Sequence, residues 1–280
     1  MITLFSTLKP FRDSHTEKIQ KNSLQSWTRL RPRPEILILG TGQGIPEVCR
    51  AFHLIHLPEV ETNKNGVPLV ESLFEKAQKA ATHRFLCYVN ADIILLNDMM
   101  EAVNFLNKLS QPFLGVGQRK DVEVSAEFLR RFASGQENAI REYVDSHGIL
   151  AGLEAMDYFI FPRGFYRGLE PYLIGRMIWD WRLVQYALEK KALVIDLTDA
   201  VTAIHQNHST LDRNQDPIFK EEVHWNLSLY RLPCVTLQDV THRLQSGSLE
   251  KVWFSKLKRA VRTLRTIHQK KMSLKEFRFI

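Results

Sequence analysis

Twelve consecutive residues, FLCYVNADIILL (85–96), constrain the fold of this 280-residue chain more than any other stretch. A run so rich in apolar and aromatic residues is what a strand buried on both faces of a parallel sheet requires. Asn90, Ala91 and Asp92 interrupt it. An ionised carboxylate at the end of a buried strand is costly unless a cation, a donor cluster or a ligand compensates it. The layout expected is a strand ending at the triplet, with Asp92 projecting into the crevice where open α/β sheets bind ligands. A carboxylate there can hold Mg²⁺ or Mn²⁺, hard cations that keep coordination sites for diphosphate oxygens. Such a cation would make the diphosphate a better leaving group. The competing reading is structural: Asp92 caps the following turn, with Asn97 and Asp98 as rival caps.

The flanking segments supply the rest of a sheet. ITLFST (2–7), PRPEILILG (32–40), FHLIHL (52–57) and PFLGVGQR (112–119) read as strands, and EKIQKNSLQSWTRL carries a helical stripe at Ile19, Leu24 and Trp27. Residues 66–83 place Val70, Leu73, Phe74, Ala77 and Ala81 on one helical face. NDMMEAVNFLNKLS reads as a helix with Asn97 as its N-cap. Strands alternating with helices predict an α/β fold with a mostly parallel sheet covered on both faces. Polar helices follow (roughly 121–145), then MDYFIFPRGFY, GRMIWDWRLVQYALEKKA, ALVIDLTDA and AIHQNHST. QSGS (245–248) is the best candidate boundary, dividing a domain at 1–245 from a tail at 246–280.

Charge follows the same division. Residues 249–280 hold ten Lys or Arg against two Glu, leaving 28 basic and 29 acidic side chains in the body. A polyanion-binding body is not indicated, and no nucleic-acid partner is expected. The tail places Val252, Trp253, Leu257, Ala260, Val261, Leu264 and Ile267 or His268 at helical spacing among basic residues. Two readings stand: a basic amphipathic helix on an anionic membrane surface, or an apolar stripe docked on the body. Cys49, Cys87 and Cys234 are odd in number and lack metal-ligand spacing, which favours a reducing compartment over a disulfide framework. MITLFSTLKPF is too short an apolar stretch for a signal peptide, and no 18-residue apolar run occurs. The expected location is cytoplasmic, with the tail allowing peripheral attachment to the inner face of the membrane.

A second phosphate-site candidate is EILILGTGQG (35–44), a strand followed by Gly40, Gly42 and Gly44. It resembles the cofactor loop of Rossmann-type methyltransferases, in which Glu59 or Glu61 would meet a ribose. The dinucleotide version fails because Ile45 occupies the third glycine position, and Pro46 suits a helix start.

The second half offers the remaining chemistry. His205 and His208 are spaced i, i+3, fitting two ligands on one helical turn or one ligand and one acceptor contact on a loop. The bland alternative is a pair of ordinary hydrogen-bonded histidines. Asp180 stands between Trp179 and Trp181 at a helix start, as an N-cap or as a general base desolvated by the tryptophans. Asp157 in MDYFIFP is its rival, as base or as acceptor ligand. Arg163 and Arg176 are either surface ion-pair partners or forked clamps on phosphate oxygens.

The order of elements resembles the GT-A glycosyltransferase fold, and is similar to family-two-like bacterial enzymes of polysaccharide assembly. The pieces that carry it are ITLFSTLKPF, IQKNSLQSW, PEILILG, NGVPLVESLFEKAQKAA, YVNADIILLNDM, FLGVGQR, MDYFIFPRGFY, IGRMIWDW and AIHQNH, spanning roughly residues 2–208. The resemblance implies that the strand-end triplet is the DxD motif, with Asp92 on the metal and donor diphosphate and Asn90 in place of the first carboxylate. It places Thr7 and Lys9 beside the nucleotide, a metal-binding His late in the chain and a catalytic carboxylate near Asp180. The activity implied is transfer of a sugar from a UDP- or GDP-linked donor to a hydroxyl of a glycan or lipid-linked acceptor. Two other enzyme classes compete: a methyltransferase using GTGQG, and a sugar-phosphate nucleotidyltransferase. The latter usually carries a basic Gly-rich N-terminal loop that STLKPF lacks.

Overall fold

The computed structural model of the protein describes residues 1–208, 216–230 and 235–252. Nine strands form one sheet: β1 (Ile2–Thr7), β2 (Glu35–Leu39), β3 (Ile55–Leu57), β4 (Phe85–Val89), β6 (Phe113–Gln118), β9 (Met156–Pro162), β10 (Leu193–Asp196), β12 (His242–Gln245) and β13 (Ser248–Lys251). Their order is β13-β12-β10-β6-β9-β4-β1-β2-β3. Most neighbours are parallel; β9 runs antiparallel to both β4 and β6, and β13 antiparallel to β12. A second sheet of four strands, in the order β5-β11-β7-β8, joins β5 (Ile93–Leu95), β7 (Lys120–Val122), β8 (Ile149–Leu150) and β11 (Ala203–Gln206).

The central strands alternate between two cores. Phe5, Leu37, Leu39, Leu86 and Tyr88 face one core, with α3 (Val70–Ala80) and α7 (Trp179–Glu189) packed over them. Leu4, Ile36, Ile38, Phe85, Cys87 and Val89 face the other, under α1 (Ser14–Arg29), α2 (Ile45–Phe52) and α4 (Asp98–Leu106). Burial on both faces is why these strands read as continuous apolar runs. Each fully buried Leu or Phe contributes about 1.5–3 kcal/mol. A third, smaller core sits between the second sheet and the helices α5 (Ala126–Ser134) and α6 (Glu137–His147). The fold is the mixed, mostly parallel α/β architecture expected, with helices on both faces.

Several boundaries differ from expectation. The 85–96 run is two strands: β4 stops at Val89, the chain turns through Asn90–Asp92, and β5 leaves to pair with β11. FHLIHL is strand only from Ile55, because α2 begins at Ile45 and runs to Phe52. Ile45, Val48 and Cys49 make its buried stripe, with Pro46 in its first turn. Asn97 occupies the N-cap of α4 without a side-chain capping bond; its Oδ1 accepts from Arg31 N at 2.7 Å instead. QSGS is a hairpin turn, with Ser246 and Gly247 at positive φ, so the sheet continues through β13 to Lys251 and does not end at 245. The remainder of the tail, from residue 253, lies outside the described residues, as does the amphipathic helix expected there.

Candidate metal and donor site

The carboxyl ends of β1, β4 and β6 open on the same edge as the first residue pair of β9, and four segments converge there. The β4/β9 ladder extends one step past Val89, where Asn90 N donates to the Asp157 carbonyl at 2.9 Å. Asn90 Nδ2 donates to Asp157 Oδ1, and Tyr88 Oη donates to Asn90 Oδ1 at 3.0 Å. Asn90 therefore serves as a neutral link between two strands. A carboxylate at that position would face Asp157 as a like charge.

Two residues on, Asp92 meets both histidines. His208 Nε2 lies 3.2 Å and His205 Nε2 3.8 Å from Asp92 Oδ2. One ligand atom from each of the three lies within 4.8 Å of the others. Metal–ligand bonds of roughly 2.0–2.3 Å put neighbouring ligand atoms about 3 Å apart, a spacing that the His208–Asp92 pair nearly has and toward which His205 would have to move. Asp92 Oδ1 is buried with no hydrogen-bond partner, a costly state for a carboxylate oxygen unless a ligand supplies the missing contact. The donor set fits a divalent cation. Two imidazoles beside one carboxylate suit Mn²⁺ better than Mg²⁺, which favours oxygen ligands.

The histidines are not on a helix. His205 is on β11 and His208 just beyond it, and the second sheet brings them to Asp92 because β5, which follows the Asp92 turn, pairs with β11. Fully buried Gln206 fastens this junction: its Nε2 donates to Ile19 O, Ser23 Oγ and Asp92 O, and its Oε1 accepts from Asn22. His205 Nδ1 bonds Asp121 Oδ1 at 2.8 Å, which sets the tautomer and turns Nε2 toward Asp92. Arg119 completes the chain, with Nε 2.8 Å from Asp121 Oδ1 and one Nη 2.8 Å from Asp157 Oδ2.

Burial pushes the Asp92 carboxyl upward, but the His208 bond and the charges of His205 and Lys9 outweigh it and hold it down at about 2. Burial, opposed by Arg119 and reinforced by Asp92, raises Asp157. Burial, opposed by the Asp92 charge, lowers His205 from the usual imidazole range, which favours the neutral form that binds metal. Lys9 follows β1, its backbone N–H and carbonyl both held by the Gln20 amide. Thr7 ends β1 beside Leu39, close to Gly40.

Trp179 packs edge-on against Tyr88 at 5.2 Å and tilted against Phe159 at 5.6 Å. That contact seats the first turn of α7, and with it Asp180, beside the strand ends. Burial, with a smaller contribution from the Asp157 charge, pushes Asp180 up to about 7. Asp180 thus stays partly open to solvent while protonating near neutrality, the property of a proton acceptor. The preceding residue, Ile178, has φ 84°, a left-handed conformation that is costly for a β-branched side chain.

Two sequence candidates lie elsewhere. Arg163 is at the far end of β9: because β9 is antiparallel to β4, Asp157 stands at the carboxyl end of β4 and Pro162 opposite Phe85 at its start. Arg176 is committed to buried Glu222 on α8 (Pro217–Leu229), with Nε 2.8 Å from Oε2 and its guanidinium over Phe219. Neither joins the cluster. Arg119, Asp121 and Gln206 were missed in the sequence; the signal available was that RKD directly follows FLGVGQ, at a strand end equivalent to that of Asp92.

The GTGQG loop has a different purpose. Gly44 has φ 80°, and a Cβ there would come within 2.5 Å of Phe11; a Cβ on Gly42 would meet Pro10 at 2.9 Å. Phe11 N also donates to Gln43 O at 2.9 Å. The close approach that the glycines allow is taken by the chain's own Pro10 and Phe11, and Glu59 and Glu61 are exposed. The methyltransferase reading is not favoured.

No family model matches the chain, and no curated protein matches it. Among solved structures, glucosyl-3-phosphoglycerate synthase from Mycobacterium tuberculosis in complex with Mn²⁺ and UDP-glucose is 13% identical over 81% of this chain and 77% of that one, with a TM-score of 0.46. The same enzyme with phosphoglyceric acid gives 14% identity over 81% and 78%, with a TM-score of 0.47. TarS of S. aureus (residues 1–349) with UDP is 16% identical over 43% of this chain, with a TM-score of 0.35. The match spans 36% of that TarS chain.

Proposed function

We propose that the protein is a divalent-cation-dependent glycosyltransferase that moves a sugar from a nucleotide-diphosphate donor to an acceptor hydroxyl. The observation that carries this reading is the Asp92–His205–His208 trio at the carboxyl end of β4, with Asp92 Oδ1 lacking a partner. These three residues would hold the cation, which when bound neutralises the donor diphosphate and improves it as a leaving group. Lys9, whose charge reaches Asp92, adds positive potential on the same side of the crevice, and Thr7 offers a hydroxyl at the end of β1.

Asp180 is the base. With its carboxyl near 7, a large ionised fraction coexists with strong proton affinity at neutral pH. It accepts the acceptor hydroxyl proton as that oxygen attacks the anomeric carbon, and the sugar–phosphate bond breaks on the opposite face with inversion. Asp157, with both oxygens held by Asn90 and Arg119, acts as the scaffold that joins β4, β6 and β9.

The acceptor class we infer is a glycan or a lipid-linked acceptor. The basic tail sequence supports a meeting with such acceptors at an anionic membrane surface. Among the described residues no helix is long and apolar enough to cross a membrane. The test is turnover of UDP- and GDP-linked sugars with Mn²⁺. Asp180→Asn should lower kcat by roughly 10²–10⁴-fold with little change in donor KM; an unchanged kcat removes Asp180 from the mechanism. The same donor set can also serve non-haem iron, and a nucleoside-diphosphate requirement separates the two.

A further inference from the structure

The edge of the sheet opposite the cation centre carries a second concentration of charge, and it includes Arg163, which that centre does not use. Arg163 N donates to the Arg84 carbonyl at 2.8 Å, one step beyond the Phe85–Pro162 pair of the antiparallel β4/β9 ladder. Arg84 and Arg163 therefore occupy paired positions on β4 and β9, with the Arg84 guanidinium reaching Asn107 Oδ1 at 3.5 Å at the end of α4 and that of Arg163 reaching the end of α3.

Both arginines line a depression of about 420 Å³, together with Lys190 at the C-terminal end of α7 and the polar side chains of Ser110 and Gln111. No carboxylate lines it. Among the described residues none of the three cations forms an ion pair, whereas Arg119, Arg141, Arg176 and Arg182 all do. Arg84 lies over the Phe85 ring at 5.0 Å and Lys190 over the Tyr186 ring at 5.3 Å. One Nη of Arg163 is anchored on the Ala81 carbonyl at 2.7 Å, so part of the ordering cost of that side chain is already met.

We propose that this depression is a second anion site, built for a phosphate group. Two guanidinium groups and an ammonium lining one depression without a carboxylate suit a phosphate dianion in charge, with Ser110 and Gln111 as further polar groups in the lining. The site is about 20 Å from Asp92 along β4, so its occupant is separate from a donor at the cation centre. The phosphate comes either from a free phosphate or phosphate monoester, or from a lipid headgroup.

The experiment titrates the full chain, freed of metal with EDTA, with inorganic phosphate by calorimetry. In parallel it measures sedimentation with phosphatidylcholine vesicles with and without phosphatidic acid. The expected result is saturable phosphate binding that raises Tm, weakened at least tenfold by Arg84→Gln and by Arg163→Gln, less by Arg163→Lys, and untouched by Asp92→Ala. Vesicle binding that falls in the same variants, without saturable free phosphate, assigns the site to a lipid headgroup. Lys190→Gln, on the exposed end of α7, gives the same reading if the arginine variants fail to fold. Binding of both ligands unchanged in the Arg84, Arg163 and Lys190 variants, or absent from the wild-type chain, overturns the proposal.

Discussion

Asp92 and Asp180 show how two carboxylates, each near Asp157, acquire opposite properties. Asp92 is kept ionised by two imidazoles and Lys9, whereas Asp180, with the Asp157 charge nearby and no cation among its influences, is driven up to about 7 by burial. The sign of the pH effect follows. A base must be ionised, so kcat should rise with pH through about 7 and level off above it; a flat profile from pH 5 to 9 would contradict the assignment. Stability moves the other way. Asp180 binds its proton more tightly folded than unfolded, so folding loses stability as pH rises from about 4 to 7. Asp180→Asn should therefore raise Tm above pH 7, by the equivalent of at most about 4 kcal/mol, and leave it unchanged near pH 4. At this scale Asp92 and Asp180 were legible in the sequence, because a carboxylate breaking an apolar run and an Asp between tryptophans are both conspicuous. Arg163 was misplaced because nothing in MDYFIFP reveals that β9 runs against β4.

At the scale of elements, the site depends on the junction between the two sheets. β4 and β5 are one continuous apolar run in the sequence, and their separation rests on a turn in which Ile93 N bonds Asn90 O at 3.1 Å. Trp27 on α1 donates to Ile93 O at 2.9 Å, and Ser26 Oγ accepts from Leu95 N at 3.1 Å, so α1 secures the start of the second sheet. Gln206 joins the same helix to β11. Nothing in AIHQNH marks its side chain as buried; the packing of β11 under α1 makes it so. Gln206→Ala strands several buried groups and should cost about 2–3 kcal/mol in chemical denaturation. Because the same side chain fixes the approach of both histidines to Asp92, Mn²⁺ affinity should fall roughly 10–100-fold. A variant that loses stability but keeps full Mn²⁺ affinity would show that the junction does not position the ligands. Arg119 and Asp121 escaped the sequence reading for a related reason: RKD after a strand looks like a solvated turn until β7 is seen to pair with β11.

Across the whole molecule, charge and fold are divided. The body through residue 248 is nearly neutral and the excess of basic residues lies beyond it, while β13 and Val252 belong to the body, with Val252 N bonded to Thr241 O at 2.9 Å. A chain truncated after Val252 should keep its Tm and bind anionic vesicles less than the full chain; truncation after Gly247, which removes β13, should lower Tm. Equal vesicle binding by the full chain and the chain ending at Val252 would remove the membrane role proposed for the tail. The alternating runs of the sequence were enough to foresee the large sheet and its two helical layers, because strands buried on both faces advertise themselves in composition. The second sheet was not foreseen: its strands are two to four residues long, too short for a period to register. The proposed cation centre is where the two sheets meet, and calorimetric titration of the full chain with UDP, GDP and CDP, each with and without Mn²⁺, tests it most directly. The account expects one nucleoside diphosphate to bind only with Mn²⁺ and Asp92→Ala to abolish that binding; nucleotide binding indifferent to both Mn²⁺ and Asp92 would contradict it.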